Sequence, residues 1–400
     1  MTITETNFIT TSPDLFAGQI PFLKPWLGEE EANAARDVIL SGWVCQGPKV
    51  MEFENQIADY AGVRYGIATN SCTSALHLVL RLSGIGPGDE VILPDSTCMA
   101  TANAVHQSGA EPAFADIDPR TFNLDPTAAE AAITPRTRAI ILVHQIGLAG
   151  DRDPFARLAS RRGLTLIEDG ACSFGGSYNG RPVGGLGSPT CLSFHPRKMI
   201  TTGEGGMILT SDAGLAAKAR ELRATGASIS DLDRHKALGA LVQTYSDYGY
   251  NYRMTDIQAA IGLVQLKRLP AMLAQRADQA RRYDQAFRGT AEIEPPFVPE
   301  GTVHSYSSYC VRVRPRHGLT RDDVIASMVR RGVSVRTGIQ PLHREPFYQT
   351  PFYHKRFARR SFSMTEEVAR NTMFLPIFPG LSELEQQAVI AALQLAVNGE

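Results

Sequence analysis

The sequence predicts an α/β protein, with a mostly parallel seven-stranded sheet in a large domain and a smaller C-terminal α+β domain. Three observations predict it. Seven short apolar runs lie between Tyr65 and Ser211, they are continuous rather than alternating, and helical patterns separate several of them. Continuous apolar runs suit strands covered on both faces, and a helix between two such strands makes a parallel crossover.

The expected strands are 66–69, 90–93, 112–117, 139–144, 165–169, 190–194 and 206–210, with helices such as 74–82 and 100–107 between them. The last two strands are joined only by the short run around Lys198, so one strand is expected to run antiparallel. A helical pattern covers 255–265, with Thr255-Asp256 as its cap. Pro270 interrupts the pattern and 271–287 resume it. The domain change is placed here, giving a large domain 1–265 with an N-terminal arm and a small domain 266–400. The small domain should hold strands 308–313 and 333–336 and helices 321–331 and 382–396.

Composition bounds the function. The 400 residues are 43% hydrophobic and 20% charged, ordinary for a globular enzyme long enough for two domains. A net charge of -1 gives no electrostatic reason to expect nucleic acid or an anionic membrane as a partner. The six cysteines show no CxxC spacing, so neither a metal site nor a disulfide framework is expected, and reduced thiols in a cytoplasm fit best. Met1–Thr10 lacks the basic and apolar regions of a signal peptide, and no apolar stretch approaches the ~18 residues of a membrane span.

The richest run is Ser193-Phe194-His195-Pro196-Arg197-Lys198, followed by Met199-Ile200-Thr201-Thr202-Gly203-Glu204-Gly205-Gly206. A lysine in a loop is ordinarily a solvated surface group. Here it follows a short apolar strand and precedes a glycine-rich turn, which is how an enzyme holds an aldehyde cofactor as a Schiff base. Such an amine should be buried and poor in protons. Glu168-Asp169 at the end of the preceding strand favours this reading over the surface one. A carboxylate beside a lysine is the signature of pyridoxal 5'-phosphate (PLP), whose ring nitrogen must stay protonated for the ring to act as an electron sink. The carboxyl edge of an α/β sheet is also where ligands bind. A third element, Asn70-Ser71-Cys72-Thr73-Ser74, lies between a strand and a helix. Backbone N–H groups at such a helix N-terminus suit a phosphate, although any helix cap looks similar.

Together with Gly84–Pro94, Asp116-Ile117-Asp118-Pro119, Ile167–Ala171 and Gly249–Ala260, these motifs resemble the DegT-type nucleotide-sugar aminotransferase family. Its members are PLP enzymes of the aspartate-aminotransferase, or type I transferase, fold. The resemblance runs from about Ile20 to about Gln394. It implies that Lys198 is the Schiff-base lysine and proton shuttle and that Asp169 is the pyridinium partner. It implies phosphate ligation by Thr73, the backbone at Cys72, and Ser193. Asn251 would reach the phosphate of a partner subunit, making a homodimer with shared active sites. Two positions depart from the family pattern. Cys172 stands where many members carry Gln or His near the phenolic oxygen, and Cys98 where many carry an aromatic stacked on the ring.

The implied reaction moves an amino group from an amino acid, L-glutamate foremost, to a keto sugar on a nucleoside diphosphate. The two cysteines keep open a second reading, amination of a cyclitol or other natural-product ketone, or another PLP reaction on the same fold. A third, a cofactor-binding regulator without turnover, would bring a basic helix-turn-helix that is not found, and the retained Lys198 opposes it. Arg253 is expected to meet a carboxylate or phosphate of a substrate, or else to form a surface ion pair with Asp256. His343, in Gln340-Pro341-Leu342-His343, is expected near the sugar or nucleotide. His144 and His195 are read mainly as satisfied polar residues at strand ends, and Trp43 as either a pocket border or a packing residue.

Overall fold

A computed structural model of the chain describes residues 19–229, 234, 242–357 and 360–400. The expectation for Met1–Thr10 lies outside the described residues.

Two helices, α1 (Glu29–Ser41) and α2 (Pro48–Ala61), precede the main sheet. The sheet then forms from β1 (Tyr65–Thr69), β2 (Glu90–Pro94), β3 (Glu111–Ala115), β4 (Thr137–Val143), β5 (Thr165–Asp169), β8 (Thr190–Ser193) and β9 (Gly206–Thr210). Between β5 and β8 the chain makes the short strands β6 (Ser177–Tyr178) and β7 (Arg181–Pro182), which join β11 (Thr302–Val303) in a separate small sheet. The main order is β1-β9-β8-β5-β4-β2-β3. All pairs are parallel except the two made by β9, so β9 alone runs against the rest. The mostly parallel seven-stranded sheet with one reversed strand is therefore as expected.

Crossover helices α3 (Cys72–Leu82), α4 (Met99–Gln107), α5 (Pro126–Ala131), α6 (Arg152–Arg162) and α7 (Ala213–Arg223) cover the sheet. Ile67, Leu76, Val79, Leu93, Ile141 and Ile167 share one buried cluster between sheet and helices. Burying side chains of this size stabilises by about 1.5–3 kcal/mol each, which fixes the strand ends that carry the site.

The helix expected to break at Pro270 does not break. Helix α8 runs unbroken over Asp256–Phe287 with Pro270 inside it. Leu269 and Met272, on either side of the proline, are fully packed in a cluster with Phe53 and Ile57 of α2. That burial offsets the roughly 3 kcal/mol an interior proline costs. A capping box at Thr255 and Gln258 starts the helix where the cap was expected.

Beyond α8 lie β10 (Ile293–Glu294), β12 (Tyr309–Val313), β13 (Arg336–Thr337) and β14 (Thr372–Leu375), an antiparallel sheet ordered β10-β12-β14-β13. Helices α9 (Arg321–Arg330), α10 (Pro351–Phe357), α11 (Ser363–Asn371) and α12 (Glu383–Asn398) accompany it. The strand expected over 333–336 is displaced toward 336–337. Val333 instead bridges Ile20, with the Ser334 N–H donating to the Ile20 carbonyl at 3.0 Å. A partner more than three hundred residues away competes for that backbone, and no local pattern announces it. Among the described residues no helix is long and apolar enough to cross a membrane.

Candidate active site

Strands β5 and β8 are parallel neighbours, so their carboxyl ends open on the same edge. Asp169 is the last residue of β5 and is buried. Its Oδ2 accepts from the Thr101 hydroxyl at 2.8 Å and its Oδ1 from the Ala171 N–H at 3.1 Å. The Cys72 thiol approaches Oδ1 at 4.0 Å. Burial, reinforced by the Asp169 charge, pushes the Cys72 thiol well up, and it does the same to Cys191 on β8. Both thiols are therefore neutral walls rather than nucleophiles.

Lys198 lies in the tight connection between β8 and β9. Phe194 N–H donates to Gly205 C=O at 2.9 Å, Thr202 N–H to Phe194 C=O at 3.0 Å, and Lys198 N–H to His195 C=O at 2.8 Å. These bonds fix the loop from both sides and aim the lysine back over the strand ends. Its Nζ donates to the Cys172 sulfur at 3.1 Å. Burial lowers the Lys198 pKa, but the Cys172 and Asp169 charges outweigh it and the net shift is upward. The proton-poor amine expected from burial alone is thus corrected. The free amine keeps its proton more firmly than burial alone would allow.

The segment expected to anchor a phosphate lies at the start of α3. Ser71 caps the helix, its hydroxyl accepting from Ser74 N–H at 3.1 Å. Cys72 and Thr73 occupy the first turn, where N–H groups have no acceptor within the helix. Ser193 ends β8 opposite Gly206 of β9. A Cβ at Gly206 would collide with the backbone of Ser71 and Cys72. Only glycine lets the lysine hairpin lie this close to the helix N-terminus. A lysine, a carboxylate and a helix N-terminus thus converge on one sheet edge, and the set fits PLP, which needs partners for an aldehyde, a ring nitrogen and a phosphate.

A model of the DegT/DnrJ/EryC1/StrS aminotransferase family matches residues 25–394. The chain belongs to this family. It is 41% identical over 377 residues to the GDP-perosamine synthase of Caulobacter vibrioides, covering 94% of this chain and 97% of that protein. It is 38% identical over 383 residues to the spore coat polysaccharide biosynthesis protein SpsC of Bacillus subtilis, covering 95% and 97%. A solved structure from Streptococcus pneumoniae in a PMP-form superposes with a TM-score of 0.87 at 29% identity, covering 94% and 99% of the two chains. The same protein is also solved in a PLP-form. The chain is therefore a PLP-dependent aminotransferase of the type I fold, an enzyme rather than a non-catalytic regulator.

Other residues singled out from the sequence are placed more loosely. Cys98 is exposed at the N-cap of α4. Asn251 is exposed, and its carbonyl accepts from Asn70 of the same chain at 3.4 Å. Arg253 follows on that segment, partly buried. Asp256, the alternative partner considered for Arg253, accepts from Gly47, Lys49 and Val50 N–H at the start of α2. Trp43 donates to the Gln46 carbonyl within its own loop. His144 has both nitrogens engaged, by Glu168 at 3.1 Å and Gly150 N–H at 3.0 Å, and His195 accepts from Arg197 N–H. Both are satisfied polar residues.

His343 is the most constrained of the set. Its Nδ1 meets Asp95 Oδ2 at 2.5 Å, its Nε2 meets Glu366 Oε1 at 3.2 Å, and its ring stacks on Phe362 at 4.5 Å. Burial lowers its pKa, yet the two carboxylates prevail and raise it. Sequence reasoning missed Asp95 and Thr101. Thr101 was findable, because it lies on the first turn of the helix expected at 100–107. Asp95 carried no signal, since its partner is 248 residues away.

Proposed function

We propose that the enzyme transfers an amino group from an amino acid, with L-glutamate as donor, to a keto sugar attached to a nucleoside diphosphate. The observation that carries this is the 41% identity, over nearly the full length of both chains, to a GDP-perosamine synthase. A 610 Å³ cavity is lined by His343, Arg344, His354 and Arg360, with Glu366 of the same lining paired to His343 and Arg344.

PLP, when bound, supplies the electron sink that lets a carbon next to nitrogen lose a proton. In this reading Lys198 Nζ would hold the cofactor aldehyde and, when free, would serve as the base that moves a proton. Asp169, fixed by Thr101 and Ala171, would pair with the ring nitrogen. The N–H groups of Cys72 and Thr73, with the Ser193 hydroxyl, would hold the phosphate. Asn251 completes the phosphate site of a partner subunit, so the working unit is a homodimer with shared sites, acting in the cytoplasm. Arg253 and His343 are assigned to the substrate side. The division into a large domain 1–265 and a small domain 266–400 belongs to the same proposal.

A second reading, amination of a cyclitol or other natural-product ketone, or another PLP reaction on the same fold, rests on Cys98 and Cys172, the two positions that depart from the family pattern. One experiment separates the two. L-glutamate should convert the visible absorbance of the loaded enzyme to the near-ultraviolet absorbance of its amine form, and a nucleoside-diphosphate keto sugar should reverse the change. Reversal by a cyclitol ketone but by no nucleotide sugar would replace the first reading with the second.

A further inference from the structure

The closest polar contact of Lys198 Nζ is not a carboxylate but the sulfur of Cys172, at 3.1 Å. We propose that Cys172 is a positioning residue that holds the released Lys198 as half of a partly buried amine–thiol pair sharing one proton. The inference rests on Lys198 being the cofactor lysine, and it adds a function for a position where the chain departs from its family.

The charged and titratable groups facing Lys198 are Asp169, which ends β5, Cys172, which follows it, and Cys72, which opens α3. Asp169 is already bonded by Thr101 and Ala171. Cys72 is buried and stays protonated. Cys172 is only partly buried and is the thiol in contact with the amine. A lone ammonium in such a place is costly, whereas a thiolate–ammonium pair is neutral as a unit. Moving the proton from Nζ to Sγ breaks one N–H bond and forms one S–H bond with no change in net charge. It frees the Nζ lone pair, which is the form a base requires. A Gln at this position could orient the lysine but could not take its proton.

The test reads the thiol, not turnover. The enzyme loaded with pyridoxamine 5'-phosphate, in which Lys198 is free, is alkylated with iodoacetamide across pH. Peptide mapping separates Cys172 from the exposed Cys45 and Cys98. The readout is the pH midpoint of Cys172 alkylation. Lys198→Met, loaded in the same way, should raise that midpoint by about one unit or more, and Lys198→Arg, which keeps a cation there, should not. An unchanged midpoint in Lys198→Met, or one that rises equally in Lys198→Arg, would overturn the pair. Neither outcome depends on which ketone the enzyme aminates, so failure here is distinct from failure of the sugar reading.

Discussion

At the floor of the site, Lys198 Nζ meets one sulfur at 3.1 Å, and its loop is fixed by backbone hydrogen bonds together with the hydroxyls of Thr201 and Thr202. At the rim, His343 is gripped on both nitrogens by carboxylates and stacked on Phe362. Both are basic groups whose neighbours raise the pKa against the opposing effect of burial. They differ in what the neighbours allow. The Lys198 partner is a thiol that can take a proton back, so the amine can be released for chemistry. The His343 partners are two acids, one of them fully buried, so the ring is a cross-link between the end of β2 and α11. The same upward shift thus accompanies a thiol contact at the floor and a bridge between the end of β2 and α11 at the rim.

Breaking the floor should cost most. Lys198→Ala should lower transamination by at least about 10²–10⁴-fold, the usual contribution of a positioned base, and remove the visible absorbance of the bound cofactor. Borohydride reduction of the loaded wild type and peptide mapping should place the label on Lys198. A label on Lys24, Lys49, Lys218, Lys236, Lys267 or Lys355 would refute the assignment.

Asp169→Asn should retain cofactor and lose about 10–150-fold in kcat, as expected for removing one charge-assisted hydrogen bond of about 1.5–3 kcal/mol. Near-normal turnover with cofactor bound would mean that Asp169 does not face the ring nitrogen.

Asn251→Ala should weaken cofactor binding by about 1.5–3 kcal/mol, measured by equilibrium dialysis of PLP. Mixed with Lys198→Ala chains, it should regain activity, because one site of each heterodimer would carry both residues. No recovery in demonstrated heterodimers would return Asn251 to its own subunit's site or remove it from the site.

The smallest effect belongs to the rim, and it has a pH signature. A folded-state pKa raised above the unfolded value gives stability that is complete below the ordinary His value of about 6.5 and is lost as pH rises through the folded value. Glu366 is shifted the other way, held down by Arg344 first and His343 after it, so its contribution is lost as pH falls. His343→Gln should therefore destabilise by roughly 1.5–3 kcal/mol near pH 6 and by less at pH 9, followed by thermal melts. A difference in Tm that is flat with pH would show that the ring is held by packing on Phe362 alone.

Much of the floor was legible because its parts lie on contiguous segments. The strand ending at Asp169, the lysine loop and the capped start of α3 each carry a local pattern, and parallel pairing brings strand ends to one edge. The strand order around them was not legible, since β1 pairs with β9 across the whole large domain. Pro270 shows the converse: the local rule for proline was sound, but the buried side chains on either side of it outweigh the rule.

The sequence by itself determined the α/β class and the cofactor, and singled out a lysine and an acid that the fold brings to one sheet edge, because residue types and short spacings suffice where chemistry permits few alternatives. Only the tertiary structure decided which groups touch. It put a thiol rather than a carboxylate on the lysine amine and gave Asp95 to His343 from 248 residues away. The physical reason is that an ionisable group takes its properties from the charge and solvent around it. Those are fixed by segments packed together in space, whatever their order along the chain.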